Sequence, residues 1–68
     1  MNIDREAFSE QLKGRTGWEL KHTQYSNTLI GFTLEKDGRQ KTVAINRIPG
    51  LFIMDSGHLE ELIRKIGG

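Results

Sequence analysis

The fold of this chain is decided by the stretch GWELKHTQYSNTLIGFTLEKDGRQKTVAIN, residues Gly17–Asn46. Apolar and polar residues alternate in it in three runs, which is the period of a strand with one buried face. Asp37-Gly38 separates the second and third runs, and this pair favours a type I′ hairpin turn because both residues tolerate positive φ. The stretch therefore predicts a three-stranded antiparallel meander with one apolar face.

The alternation also predicts which side chains share a face of the sheet. Trp18, Leu20 and His22 are alternate residues of the first run and are predicted to lie on its apolar face. The lysine, threonine and glutamate side chains are expected on the opposite face, which would offer cations to solvent. The apolar face needs a cover, and the sequence on either side of the meander has the pattern of two helices.

The first helix is predicted over Arg5–Lys13, with Asn2 or Asp4 as its N-cap and Gly14 as a left-handed C-cap. The second helix is predicted from apolar residues that recur at helical spacing, with Asp55 or Ser56 as its N-cap. These residues are Leu59, Leu62, Ile63 and Ile66. The predicted fold is thus α+β, in the order α-β-β-β-α, with both helices on one face of the sheet.

The length of 68 residues predicts a single domain, 1–68. The chain has no cysteine, so disulfides and thiol metal sites are excluded, which is compatible with the cytoplasm. Met1–Glu10 has no apolar segment typical of a signal peptide. The longest apolar run, Leu51–Met54, is too short to span a bilayer, so no membrane association is expected.

The net charge is only +1, but the charges are unevenly distributed. From Lys13 to Arg47 there are seven basic side chains and three acidic ones, whereas the flanks are acidic. A basic sheet favours a nucleic acid as a partner, although cations on a sheet edge also prevent aggregation. The candidate residues for binding it, and for binding RNA if the resemblance described below holds, are Lys21, Lys36, Arg39, Lys41 and Arg47.

The chain has no P-loop, dinucleotide fingerprint, zinc-protease motif or nucleophile elbow, so neither a cofactor nor a metal is expected. Proton transfer would most simply use His22 or His58. His22 is expected to be structural, and His58 is expected to be a solvated side chain in the first turn of the second helix.

The apolar segment Leu51, Phe52, Ile53 and Met54 follows the turn signal Ile48-Pro49-Gly50 and has two interpretations. It packs across the edge of the core, or it is a contact patch for a protein partner. In the second case the chain is a small interaction or regulatory protein without enzymatic activity.

Several short motifs occur together in a recognisable order. Gly17-Trp18-Glu19-Leu20 enters the first strand, and Ser26 lies in the turn after it. Gly57-His58-Leu59 opens the second helix, and Lys65-Ile66-Gly67 closes it. In order and spacing these motifs resemble the HicA (YcfA-like) mRNA interferase toxins of bacterial toxin–antitoxin systems. The resemblance covers nearly the whole chain.

This resemblance implies a double-stranded-RNA-binding-domain-like fold, ribosome-independent mRNA cleavage and an antitoxin protein as a partner. It also places the active turn at Ser26 and Asn27. Asn27 occupies the position of the family's catalytic histidine, and asparagine does not exchange a proton near neutral pH. Three possibilities stay open: RNA binding without cleavage, cleavage through another residue, of which His22 is nearest in sequence, or a scaffold kept for protein contact.

Overall fold

The computed structural model describes residues 3–67. In this part of the chain the elements are α1 (Arg5–Thr16), β1 (Glu19–Tyr25), β2 (Leu29–Lys36), β3 (Arg39–Asn46) and α2 (Ser56–Ile66). The strands form an antiparallel sheet in the order β1-β2-β3. The predicted α+β fold with the order α-β-β-β-α is confirmed.

The core lies between the two helices and one face of the sheet. Phe8 of α1 stacks on Phe32 of β2, with ring centroids 5.6 Å apart. The other buried apolar side chains are Leu12, Leu20, Ile30, Leu34, Ile45, Leu59, Leu62 and Ile63. Since α1 and α2 both contribute to this one cluster, each helix depends on the sheet for most of its stability.

The first helix is longer than its sequence predicts. Asp4 caps it, because its carboxylate accepts from the Ala7 N–H at 2.7 Å; the alternative cap, Asn2, lies outside the described residues. The prediction that Gly14 ends the helix is wrong. The helix continues to Thr16, and Gly17 is the C-cap, with φ of 82° and its N–H on the Lys13 carbonyl.

A β-bulge interrupts the first strand. Leu20 pairs with Leu34, but His22 pairs with Thr33, so Lys21 is an additional residue in β1. The extra residue reverses the phase of the strand beyond it. His22 is therefore exposed on the open face of the sheet, and the prediction that it shares the apolar face with Leu20 is wrong.

The second hairpin follows the predicted geometry. Asp37 and Gly38 have φ of 52° and 78°, as a type I′ turn requires. The register pairs Lys36 with Arg39, and Lys41 with the buried Leu34. Paired residues lie on the same face, so these three cations belong to the helix-bearing face, where it extends past the core. The expectation that the opposite face carries them is wrong.

His58 fixes the loop that joins β3 to α2. Its ring is fully buried; Nε2 accepts from the Ile48 N–H and Nδ1 donates to the Phe52 carbonyl, each at 2.9 Å. Within the loop, Gly50 has φ of 84° and the Leu51 N–H reaches the Ile48 carbonyl at 3.2 Å, so the predicted turn is present. The expectation of a solvated His58 is wrong, because this ring precedes Leu62 by one helical turn on the buried side.

Candidate nucleic-acid interface

Four side chains meet where the second hairpin extends past the core. We call them the hairpin-end cluster: Trp18, Lys36, Arg39 and Lys41. The Nζ atoms of Lys41 and Lys36 lie 4.5 Å and 6.0 Å from the centroid of the half-buried Trp18 ring. Both distances are within the range of cation–π attraction.

The end of α1 positions the tryptophan. The left-handed Gly17 turns the chain out of the helix, and the Trp18 N–H then donates to the Thr16 hydroxyl at 3.2 Å. Gly17 also lies next to a cation, since a Cβ at this position would be in ordinary contact with Lys36 Nζ, at 3.4 Å. The backbone thus holds the aromatic ring and one lysine side by side.

A cavity of about 430 Å³ opens at the cluster, lined by Trp18, Lys36, Asp37 and Arg39. Within residues 3–67, none of the three cluster cations forms an ion pair with a carboxylate. Asp37 is the one acidic residue of the lining, so positive charge predominates at the cavity. Cations without acidic partners next to an aromatic ring form a surface suited to a polyanion.

Lys21 lies apart from this cluster. Its ammonium is 3.6 Å from a Glu19 carboxylate oxygen and 3.8 Å from one of Glu35. Lys13 donates to Glu19 from the other side at 2.9 Å, and these cations, Lys13 foremost, lower the pKa of Glu19. The charge of Lys21 is therefore largely balanced by neighbouring glutamates.

Arg47 lies at the opposite end of the sheet. Its guanidinium donates to the Ser26 carbonyl at 3.0 Å and lies 5.9 Å from the centre of the Tyr25 ring. Its backbone N–H bonds to the Thr28 carbonyl at 2.8 Å. Arg47 thus holds the turn between β1 and β2, roughly 25 Å along β3 from Arg39.

The candidate catalytic residues do not converge. Ser26 accepts from the Leu29 N–H at 3.2 Å, so its hydroxyl stabilises the turn, and Asn27 is exposed beside it. His22 lies four residues earlier on the strand, at roughly 13 Å. In the part of the chain that the structure describes, no three histidine, aspartate or glutamate residues are grouped to hold a metal ion.

The apolar segment after β3 is divided between core and surface. Ile53 and Met54 pack against the core, and Leu51 is half-buried. Phe52 is 67% exposed, although its carbonyl is held by His58 and by the Asp55 N–H. The segment therefore closes one side of the core and presents a single aromatic side chain on a fixed backbone.

Trp18 is the one member of the cluster that the sequence reasoning did not assign to a site. A signal for it was present. Lys36 continues the phase of the buried Phe32 and Leu34, and Lys41 shares the phase of Ile45. Extending the apolar phase to the strand ends would have placed these lysines on the same face as Trp18.

No family model, curated protein or solved structure matches this chain. No helix among residues 3–67 is long and apolar enough to cross a bilayer.

Proposed function

We propose that this chain is a HicA-like RNA-binding protein that contacts RNA through the hairpin-end cluster. The observation that carries the proposal is the cluster itself: Lys36 and Lys41 lie over one aromatic ring, and Arg39 lines the same cavity as that ring and Lys36. Within residues 3–67 none of these three cations is ion-paired with a carboxylate. Phosphates attract such clusters because binding releases condensed counterions. The α-β-β-β-α order supports the proposal as well, since the resembled toxin family has the same order.

The distribution of charge predicts the character of this binding. The cluster is compact, Lys21 is balanced by glutamates, and Arg47 is engaged at the far end. Few phosphates are therefore contacted at once, so the affinity should be moderate and should fall as salt is added. Messenger RNA as the ligand would place the protein in the cytoplasm.

Binding to a labelled RNA, measured at increasing salt, tests this proposal. Combining Lys36→Ala with Arg39→Ala should weaken binding at least tenfold, because both substitutions remove cations that line the cavity. Lys21→Ala is the matched control and should change affinity less than twofold. Equal affinities of the double variant and the unmodified protein would contradict the proposal, as would no binding at low salt.

The resemblance extends the proposal to mRNA cleavage. His58 has both ring nitrogens engaged in the interior, so the histidine that faces solvent is His22. If the protein cleaves RNA by histidine-mediated proton transfer, His22→Ala should abolish growth arrest on induced expression. Growth arrest that persists in the His22→Ala variant would exclude His22 as the proton carrier.

The exposure of Phe52 favours a second candidate function, the binding of a protein partner such as an antitoxin. Co-purification with the product of an adjacent antitoxin-like reading frame tests it. Phe52→Asp should abolish co-purification, whereas Leu29→Asp, at another exposed apolar residue, should not. Protein binding would be favoured over RNA binding by two results together. The Phe52→Asp variant would lose the partner, and the unmodified protein would bind no RNA at low salt.

A further inference from the structure

We propose that Trp18 is a stacking platform for one unpaired base of a single-stranded RNA, and that Lys36, Arg39 and Lys41 hold the phosphates beside that base. This inference rests on the proposed function and names the form of RNA that the hairpin-end cluster takes. Three features of the structure support it: the spacing of the cations, the cavity and the position of Lys41.

The cations are spaced closely enough to contact neighbouring phosphates of one strand, and they do not span the footprint of a duplex. Lys36 and Arg39 are a directly opposed pair, about 5 Å apart at Cβ, and Lys41 follows at roughly 7 Å along the strand. Double-stranded-RNA-binding domains instead contact two successive minor grooves over about 16 base pairs. Neither of the other two candidate RNA-binding residues extends the cluster toward that footprint, since Lys21 is balanced by glutamates and Arg47 holds a turn at the far end of the sheet.

The cavity is suited to a base. Its volume of about 430 Å³ lies within the range of small-molecule sites, roughly 300–1,000 Å³. Trp18 is one of the lining residues, and an indole offers a π-face to any base. Asp37 on the same lining can accept hydrogen bonds from base N–H groups, while Lys36 and Arg39 donate to phosphate oxygens.

Lys41 lies over the Trp18 ring. Its ammonium lies 4.5 Å from the indole centroid, in a cation–π contact near the surface. Stacking of a base on tryptophan is the stronger interaction, so a base can displace this ammonium from the ring. The displaced lysine remains beside the base, where it is available to a neighbouring phosphate.

The fluorescence of the protein provides a direct test, because Trp18 is the only tryptophan of the chain. The unmodified protein is titrated at low salt with single-stranded oligo(A) of eight nucleotides and with a 16-base-pair RNA duplex. We expect saturable quenching by oligo(A), following the same curve as binding measured by anisotropy of labelled RNA. The affinity for oligo(A) should exceed that for the duplex at least tenfold. The slope of log K against log salt should be about −1.4 to −2, for two or three phosphates.

Substitutions of the ring add an independent measurement by anisotropy. Trp18→Phe keeps a stacking ring and should retain affinity within about threefold. Trp18→Leu should lose at least tenfold, while Tyr25→Leu, at an exposed aromatic residue of the opposite sheet end, should lose less than twofold. If circular dichroism shows that the Trp18→Leu variant does not fold, the fluorescence titration of the unmodified protein still tests whether a base stacks on Trp18.

The outcomes separate this inference from the function on which it rests. Binding that depends on Lys36 and Arg39 but leaves Trp18 fluorescence unchanged would overturn the stacking platform and leave RNA binding intact. Duplex bound as tightly as oligo(A) would do the same. If no RNA binds at low salt, or if the cations do not matter, both proposals fail.

Discussion

Thr23 shows how one inserted residue changes the environment of its neighbours. The bulge at Lys21 directs Thr23 toward the helix-bearing side, where it pairs with the buried Phe32. Its hydroxyl oxygen is buried and has no hydrogen-bond partner among residues 3–67. A buried polar group without a partner costs free energy, so this position is not optimised for stability.

Thr23→Val should therefore stabilise the protein. The change removes the hydroxyl and keeps the shape of the side chain, and we expect about 1 kcal/mol in the free energy of unfolding. For a domain of this size that corresponds to roughly 4–8 °C in Tm. Thermal unfolding followed by circular dichroism measures it. Thr42→Val, at an exposed strand position, is the control and should shift Tm much less. An unchanged or lower Tm for Thr23→Val would show that the hydroxyl is satisfied.

His22 marks the limit of sequence prediction at this scale. The alternation Trp18, Leu20, His22 is a correct strand pattern, and Leu20 is buried as the pattern predicts. The bulge after Leu20 depends on how β1 pairs with β2, and local alternation carries no information about that pairing. The phase beyond the bulge could therefore not be read from β1 alone.

At the scale of elements, the two glycines near the end of α1 have opposite roles. Gly14 lies inside the helix, and a Cβ there would meet nothing within 4 Å. Gly17 has φ of 82° and ends the helix. The sequence correctly predicts that a glycine caps the C-terminus of α1, but the predicted residue, Gly14, is wrong. Local signals do not decide between two glycines three residues apart.

The same substitution at these glycines should have opposite effects. Gly14→Ala should stabilise the protein by about 0.5–1 kcal/mol, because alanine loses less backbone entropy in a helix. Gly17→Ala should destabilise it by about 1 kcal/mol, because alanine disfavours the left-handed conformation. Urea unfolding of both variants measures the difference, and a stabilising Gly17→Ala would contradict the assigned cap.

The side chain of His58 anchors the loop between β3 and α2 to the helix. His58→Ala removes two hydrogen bonds to the loop backbone and leaves a cavity, so we expect a loss of about 2–4 kcal/mol. His58→Gln, which keeps a donor and an acceptor, should recover part of it. His22→Ala is the exposed control and should change stability by less than about 0.5 kcal/mol. Equal unfolding midpoints for the two alanine variants would exclude the role given to His58.

At the scale of the whole molecule, the order of elements was predictable because it depends on local patterns. The Asp37-Gly38 turn and the apolar stripe of α2 each determine one element without reference to the rest. The hairpin-end cluster depends on contacts between distant parts of the chain. It requires Gly17 to end α1, β3 to pair in one register, and Trp18 to lie beside lysines that are far from it in sequence.

Global stability should fall in acid. The Gly57 N–H donates to the Asp55 carboxylate at 2.9 Å, and this bond holds the pKa of Asp55 below its ordinary value of 3.8. A lowered pKa in the folded state means that the carboxylate stabilises the fold above about pH 4 and that this contribution is lost as the pH falls further. The hydrogen bond from Arg15 likewise lowers the pKa of Glu60, so the contribution of Glu60 to stability is also lost as the pH falls.

Urea midpoints measured from pH 7 to pH 2.5 test this dependence. Asp55→Asn keeps a cap oxygen but does not titrate, so its midpoint should fall less steeply below pH 4 than that of the unmodified protein. Identical pH profiles for the two proteins would show that Asp55 does not contribute to acid unfolding.

Gly17 links the thermal stability of the fold to the orientation of the ring that we propose stacks on RNA. The residue that terminates α1 also directs the next side chain beneath the ammonium of Lys41. A substitution that alters the cap changes the orientation of the indole as well. A substitution at Gly17 would therefore change both the stability of the fold and the orientation of the indole. A substitution at Gly14, one turn earlier, would change the stability alone.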